Sequence, residues 1–470
     1  MRSFKIIVVF FLVVFNSYTQ EYKPILKESY VDSITYALSY QGKHKELVII
    51  ANNAWNNDID FYYLRLRVGI SYFNKKQYLM ALTHFNKALE FYPSDFTTKE
   101  YIFYCNLYLG DTDRAKEIVS KMPINYQVKY LDLLKSNNII NLESGYQFPI
   151  YSNKQDTSTF LANGIFSETD RTKSLQYYQL GADFKLTNKV KLYAGFSLVN
   201  NLKSQHIYSK DNYYYYDYTT FIFNKSIKTK DTSIEYNLYQ YQAYIGATIN
   251  LPKQFSLQIG YQDMYYKQSK LFTKSDSSKS ILLDTIVYNY KYRLQNINQN
   301  NFVTSLTLTK NYKSWQGQIG LGFANIVKTS IVQMGGQFTY FPLGNYNLSL
   351  TAGYYLSKDT LSRNIGQLKI AGRISDNLWF ESYYYQGNLK NFQESNSYVV
   401  YNVSDIITSK SGISLIYYLS QKLSVGVRYD LLVRKAEFDR YVVLNNRTTK
   451  SINTDKYNMN SFIINMIWKY

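Results

Sequence analysis

The chain has 470 residues, of which 46% are hydrophobic and 18% aromatic, and its formal net charge is +19. That hydrophobic fraction excludes an intrinsically disordered chain. A single cysteine, Cys105, excludes an intramolecular disulfide framework and a zinc site built from cysteines. The excess of basic over acidic residues is consistent with binding to nucleic acid, anionic lipid or anionic polysaccharide. It equally fits a genome rich in Lys, Asn, Tyr and Ile codons, because no dense basic run occurs.

The N-terminal residues indicate export. Arg2 and Lys5 precede ten apolar residues, 6–15, and small polar residues follow. This order is typical of a secretory signal peptide, and ten apolar residues are too few to span a bilayer. We expect a signal peptide over residues 1–19, with cleavage near Thr19.

A helical repeat is predicted next, over residues 28–129. Small and aromatic residues recur at the 34-residue spacing of tetratricopeptide repeats, which predicts units at 28–61, 62–95 and 96–129. The prediction rests on Gly69, Tyr72, Ala81, Phe85, Ala88, Pro93, Gly110 and Ala115. Small residues let paired helices approach closely, and proline ends a helix. Such stacks present a concave surface to a peptide or another protein. A generic helical hairpin domain is the alternative.

From residue 140 onward, apolar and polar residues alternate with period two, as they do in β-strands. The segment WQGQIGLGF at 315–323 carries apolar side chains on one face and glutamine or glycine on the other. Short connections are predicted at 187–189, 252–254, 311–314, 342–345, 375–377 and 420–422. Longer polar loops are predicted at 201–236, 269–299, 391–409 and 436–456.

Six hairpins, a strand near 142–151 and a final strand at 457–470 predict about fourteen strands, within a range of roughly 12 to 16. Short turns at one end and long loops at the other are the layout of outer-membrane barrels. The predicted fold is multidomain, α and β. A short α-helical tetratricopeptide solenoid is followed by an antiparallel transmembrane β-barrel over 140–470. A soluble β-sandwich is the alternative.

The last strand also favours a closed barrel. In lipid every backbone polar group must pair within the protein, so a sheet must close and its last strand must pair with its first. Alternating apolar residues that end on a terminal aromatic residue resemble the recognition signal of bacterial outer-membrane barrels. The residues that match this signal are Phe462, Met466, Trp468 and Tyr470.

The sequence contains no arrangement typical of a catalytic or metal site. His44, His84 and His206 lie far apart, and no metalloprotease, nucleophile-elbow or phosphate-loop motif occurs. We expect His84 to face solvent on a helix and His206 to lie in a loop. The protein is therefore predicted to be no enzyme and to hold no cofactor or metal. A barrel-wall lipid hydrolase with a Ser–His pair is an alternative.

Charged residues on the polar faces of the strands are predicted to point into the barrel lumen. They are Lys369, Arg373, Glu381, Arg428 and Asp430. Such charges must pair or meet water. They therefore form either an internal salt-bridge network or a charge-lined path for a polar or anionic solute. Glycines recur on the same faces, where they either relieve crowding or leave room for a passage.

A signal peptide, tetratricopeptide repeats and a C-terminal barrel together resemble two groups of bacterial proteins. These are the exopolysaccharide exporters with periplasmic repeats, and the YaiO family, whose longer members carry such repeats. The resemblance implies the outer membrane, with the repeats in the periplasm. The Tyr-, Asn- and Lys-rich composition resembles the secreted proteins of Bacteroidota.

The expected function is that of a non-enzymatic outer-membrane barrel whose periplasmic repeats bind a protein partner. It would contribute to export or envelope assembly, with polysaccharide as one candidate cargo. Other expected partners are outer-membrane lipid, lipopolysaccharide and the barrel-assembly machinery, but no nucleic acid. A plugged barrel that acts as an envelope scaffold or anchor is an alternative.

Overall fold

A computed structural model describes residues 27–131, 134, 138–150, 164–187, 189–280, 285–394, 397–402, 405–444 and 447–470. The expected signal peptide at 1–19 lies outside the described residues. Within these ranges there are seven helices followed by fourteen strands. This order confirms the prediction of a helical region followed by a β-barrel.

The helical region consists of helix pairs joined by short turns. The helices are α1 Glu28–Tyr40, α2 His44–Trp55, α3 Tyr62–Asn74, α4 Tyr78–Phe91, α5 Phe96–Tyr108, α6 Thr112–Val119 and α7 Ile124–Leu131. The first helices of three successive pairs begin at residues 28, 62 and 96, a spacing of 34 residues. Asp95 caps α5, where its side chain accepts a hydrogen bond of 2.6 Å from the Thr98 amide.

Small residues allow α3 and α4 to approach closely. Gly69 on α3 is buried and Ala81 on α4 is fully buried. A Cβ atom on Gly69 would lie 2.6 Å from Cδ1 of Phe85, closer than two carbon atoms can pack. A larger side chain at this position would therefore separate the two helices.

The other residues of the predicted repeat occupy helix ends and buried faces. Ala88 and Ala115 are fully buried. Pro93 is exposed and follows the end of α4. Gly110 follows α5 with a φ of +76°, a left-handed conformation that glycine adopts without strain. The helices thus end where backbone chemistry favours a turn.

The prediction that His84 faces solvent is wrong. The His84 side chain is 5% exposed, and its ring stacks between those of Trp55 and Tyr72 at centroid distances of 5.1 and 5.4 Å. Helical periodicity describes one helix at a time. The packing of α2 and α3 against α4, which buries this face, depends on residues far away in the sequence.

Fourteen antiparallel strands form a closed barrel. They are β1 Ile139–Ile150, β2 Gly164–Lys185, β3 Val190–Asp217, β4 Ile222–Leu251, β5 Phe255–Ser280, β6 Thr285–Tyr312, β7 Trp315–Ile326, β8 Thr329–Tyr340, β9 Leu348–Lys358, β10 Ser362–Ser375, β11 Leu378–Gly387, β12 Ile406–Tyr418, β13 Leu423–Leu444 and β14 Arg447–Lys469. Neighbours in the chain pair with each other, and β1 pairs with β14. The strand number and the closure agree with the prediction.

The first and last strands pair along all 12 residues of β1. The Tyr470 amide extends this pairing with a hydrogen bond of 3.1 Å to the Asn138 carbonyl. Phe462, Met466 and Trp468 alternate along β14 with more buried residues, and each is more than a third exposed, as is Tyr470. The terminal aromatic residues therefore lie on the outer face of the seam between β1 and β14.

Most of the predicted long loops are strands. Residues 201–236, 269–299 and 436–456 lie largely in β3 to β6, β13 and β14, which form long paired hairpins. These polar sequences lack a continuous apolar face, so the alternation signal fades although the backbone pairing continues. Among the described residues, 391–409 is the predicted loop that lies mainly outside the strands.

The helical region contacts the barrel end that carries the short turns. The Leu79 amide at the start of α4 donates a hydrogen bond of 2.9 Å to the Gly344 carbonyl in the β8–β9 connection. Asp113 of α6 forms ion pairs with Lys185 and Lys191, on either side of the β2–β3 connection. The helices and the six short turns thus meet at one end of the barrel.

Candidate functional site in the barrel lumen

Residues 388–402, between β11 and β12, fold into the barrel. This inward segment is described except for residues 395–396. Phe392 is fully buried, and its ring contacts those of Tyr355 on β9 and Tyr385 on β11 at centroid distances of 5.1 and 6.1 Å. Apolar packing therefore anchors the first part of the segment to one side of the barrel wall.

The second part of the inward segment reaches the opposite wall. The Tyr398 hydroxyl lies 2.6 Å from the Tyr193 hydroxyl on β3, and its ring contacts that of Tyr244 on β4 at a centroid distance of 5.0 Å. Asn402 donates a hydrogen bond to the Tyr266 hydroxyl on β5. The segment consequently crosses the lumen.

A third contact holds the segment against β7 and β8. The Gln333 side chain on β8 donates to the Gln393 carbonyl at 2.7 Å and accepts from the Gln393 amide at 3.1 Å. On β7, a Cβ atom at Gly322 would lie 2.5 Å from Oε1 of Gln393. The small residue at this position makes room for the segment inside the barrel.

Four of the five predicted lumen charges form ion pairs, either within one strand or between strands. Arg428 on β13 lies 3.1 Å from Glu143 on β1 and 3.6 Å from Asp430. Lys369 on β10 lies 2.5 Å from Glu381 on β11. The structure therefore brings these charges together in pairs. Asp430 is almost completely buried, with 3% exposure.

Lys410, which was not among the predicted lumen charges, links this network to the inward segment. Its ammonium group lies 3.9 Å from Asp430 and 3.6 Å from Glu394 of the segment. It also donates a hydrogen bond of 2.8 Å to the Tyr401 hydroxyl. Period-two alternation on β12 would have placed Lys410 inward, but the predicted loop at 391–409 hid the start of that strand.

Two other predicted positions lie away from the network. Arg373 is near the helix-facing end of the barrel, where it pairs with Asp376 in the β10–β11 turn at 2.8 Å. His206 lies in β3, so its placement in a loop is wrong. Its Nε2 atom is 2.6 Å from a carboxylate oxygen of Asp231 on β4. The polar extension of these strands accounts for the error.

A cavity of about 760 Å³ lies beside the inward segment. It extends to Val327 and Thr360, in connections at the barrel end opposite the helices. Seven Lys or Arg residues and four Asp or Glu residues line it, together with glutamine, asparagine and tyrosine side chains. Its size falls within the roughly 300–1,000 Å³ of small-molecule sites. The lumen thus contains a chamber lined by both polar and apolar side chains, with an excess of positive charge, which we call the lumen cavity.

The outer surface of the barrel is apolar. Ile319 and Leu321 on β7 are 69% and 58% exposed, and Leu306 and Met334, which pair with Leu321 on the adjacent strands, are 44% and 54% exposed. Continuous exposed apolar surface marks a site of contact with lipid or protein. None of the described helices has the length and apolar character needed to cross a membrane.

No family model matches the chain, and no curated protein matches its sequence. Among solved structures, a FadL homologue from Pseudomonas aeruginosa aligns with a TM-score of 0.43 and 8% identity, over 71% of this chain and 91% of that chain. The Pseudomonas putida toluene transporter TodX aligns with a TM-score of 0.40 and 7% identity, over 73% and 92%. The translocator domain of the autotransporter NalP from Neisseria meningitidis aligns with a TM-score of 0.30 and 9% identity, over 77% and 98%. Similarities at this level carry no argument about function.

Proposed function

We propose that this protein is an outer-membrane β-barrel whose helical region lies in the periplasm. The closed sheet and its apolar outer face support contact with lipid, because a closed barrel leaves no unpaired strand edge in the hydrocarbon. Outer-membrane barrels place their short turns in the periplasm. The helices contact the short-turn end, which supports the same location for them. Lipid, lipopolysaccharide and the barrel-assembly machinery are the partners implied by this placement.

Within the membrane, we propose a gated passage that serves export or envelope assembly. The inward segment supports this proposal because it crosses the lumen. Of its three contacts with the barrel wall, those with β3 to β5 and with β7 and β8 are made largely by polar groups. A hydrogen bond such as that between Gln333 and Gln393 contributes about 1 kcal/mol, so a partner or solute could displace the segment. The charged and amide side chains of the lumen cavity suit a hydrophilic solute, and polysaccharide is one candidate. The helix pairs, interpreted as tetratricopeptide repeats, would bind a periplasmic protein.

Shortening the inward segment tests the gate. In the test variant a short Gly-Ser linker replaces residues 390–402. The control variant shortens the tip of the β3–β4 hairpin at 216–223, outside the lumen. Single-channel conductance is measured in planar bilayers. We expect the parent and the control to stay mostly closed and the test variant to conduct persistently.

A plugged scaffold is the second candidate, and the apolar anchor of the inward segment favours it. Leu389 and Phe392 are fully buried, and removing a buried Phe side chain typically costs about 3–5 kcal/mol. If the shortened variant stays closed, the passage is rejected and the scaffold is supported. The lipid-hydrolase alternative depends on His206. It is rejected if His206→Ala leaves any lipid-cleaving activity of the protein unchanged.

A further inference from the structure

We infer that the lumen cavity binds a small solute that carries an oxyanion, with Arg434 on β13 as the main recognition residue. The inference rests on the proposed passage and specifies the class of solute that the passage would accept. The shared chemistry is a carboxylate or phosphate group on a molecule that also offers hydrogen-bonding groups.

The charges of the lumen cavity are not balanced. Five of its seven cationic side chains lie within 4 Å of a carboxylate. They are Lys203, Lys270, Arg363, Lys410 and Arg428. Among the described residues, Arg434 and Lys390 have no carboxylate within that distance. The positive charge that a solute could neutralise is therefore concentrated at these two residues.

Arg434 is buried without its full set of partners. It is 2% exposed. Its Nη2 atom donates a hydrogen bond of 3.3 Å to Oε1 of Gln147, and the guanidinium also forms a hydrogen bond with Tyr457. Its Nε and Nη1 atoms have no hydrogen-bond partner in the part of the chain that the structure describes. The Tyr457 hydroxyl also donates to the buried carboxylate of Asp405, which is therefore one hydroxyl away from the guanidinium. A buried cation without a direct counter-ion is unfavourable, and the fixed fork of a guanidinium matches the two oxygens of a carboxylate or phosphate.

The inward segment brings Lys390 to the same level of the barrel. The Leu389 amide donates a hydrogen bond of 2.9 Å to the Ile407 carbonyl on β12. Ile407 in turn pairs with Arg434 across the β12–β13 ladder. An oxyanion at Arg434 would thus lie close to the start of the inward segment. Binding of the solute and displacement of the segment would therefore be coupled.

The amide and hydroxyl side chains of the remaining lining suit a solute with hydroxyl or carbonyl groups. Gln240, Gln299 and Tyr266 are among the polar side chains that face the cavity. Amide side chains both donate and accept hydrogen bonds. A solute with its oxyanion at Arg434 would have its other polar groups in the same cavity as these side chains.

Calorimetric titration of the full-length protein in detergent tests the site with three probes. Glucose 6-phosphate and glucose differ only in the phosphate, and citrate supplies carboxylates instead. We expect binding of glucose 6-phosphate, citrate or both, with the stronger one identifying the preferred oxyanion, and no measurable binding of glucose. Arg434→Gln should weaken anion binding at least tenfold, and Lys390→Gln should weaken it several-fold.

Lys435→Gln is the matched control. Lys435 is the next residue on β13, does not line the cavity and pairs with Glu437 at 3.2 Å. It should leave anion binding unchanged. Folding of each variant is judged by the heat-modifiable migration of a folded barrel. If Arg434→Gln does not fold, Arg434→Lys and Lys390→Gln are tested instead, and both should weaken anion binding.

The site is rejected if neither anion binds, if glucose binds as tightly as glucose 6-phosphate, or if the folded variants at Arg434 and Lys390 bind like the parent. Because binding is measured without conductance, the two proposals can fail separately. If the shortened variant conducts but the full-length protein binds neither anion, the site alone is overturned. Anion binding to a barrel that never conducts overturns the passage.

Discussion

The buried His84 imidazole lies among groups from both the helices and the barrel. Burial, followed by the charges of Arg65 and Lys313, lowers the pKa of His84 from 6.5 to about 3, and Asp60 opposes this shift. Lys313 belongs to the β6–β7 turn. The imidazole therefore stays neutral at neutral pH, and the turns of the barrel contribute to its environment.

We predict that the helical region loses stability as the pH falls below 6.5. The unfolded chain protonates His84 near pH 6.5 and the folded chain only near pH 3, so acid favours the unfolded state. At pH 5 the loss from this group is about 2 kcal/mol, and His84→Gln should remove it. Thermal unfolding of the full-length protein, followed by far-UV circular dichroism, measures the effect. His44→Gln is the control, and the same pH dependence in the parent and in His84→Gln would contradict the prediction.

Asp113 holds α6 against the first short turn of the barrel. Burial alone would raise the pKa of Asp113, but hydrogen bonds and charges from Lys185 and Lys191 lower that pKa below its ordinary value. Asp113 is 2% exposed. The element that carries it is only eight residues long, so its position depends on this contact more than on its own helical stability.

Asp113→Asn is predicted to loosen the helical region from the barrel. Asp113 is buried but Lys191 is half exposed, so loss of the carboxylate costs less than breaking a fully buried pair, about 1–2 kcal/mol. Amide hydrogen exchange, measured by mass spectrometry on the full-length protein, should become faster in α6 and in the β2–β3 connection. Glu117→Gln is the control, because among the described residues Glu117 forms an ion pair only with Lys121, an exposed residue just after the same helix. Unchanged exchange in Asp113→Asn would refute the role of this contact.

The barrel as a whole separates an apolar outer face from a polar lumen. Neighbouring residues on β7 lie in these two environments. Ile319 is 69% exposed on the outer face, and Gln318 faces the lumen beside the inward segment. A water-soluble barrel would tolerate a charge at Ile319. A lipid-embedded barrel would not, because arginine on the lipid face costs about 2–4 kcal/mol near the bilayer centre.

Ile319→Arg is therefore predicted to reduce folding into lipid vesicles, and Gln318→Arg is predicted to reduce it much less. The folded fraction is measured from heat-modifiable electrophoretic migration. The two substitutions introduce the same side chain one residue apart, so they differ mainly in the face on which it lies. Equal effects of both variants would argue against a membrane-embedded barrel.

The features that repeat locally could be predicted from the residues alone. Apolar and polar residues alternate along a strand whose two faces lie in different environments. The strand number and the six short turns could therefore be predicted from this period-two alternation. Small residues at 34-residue intervals predicted helix pairs, and helices begin at that spacing. Along the polar hairpins the apolar signal stops while backbone pairing goes on, so predicted loops such as 201–236 were wrong.

What fills the lumen became apparent only from the folded barrel. Nothing in the periodicity of residues 388–402 indicates that they fold inward, because their partners, such as Tyr193 and Gln333, come from distant strands. The burial of His84 and the incomplete hydrogen bonding of Arg434 depend in the same way on residues brought together by packing and barrel closure. Local sequence determines which elements form. The direction of a connecting segment and the balance of a buried charge are set by contacts between elements.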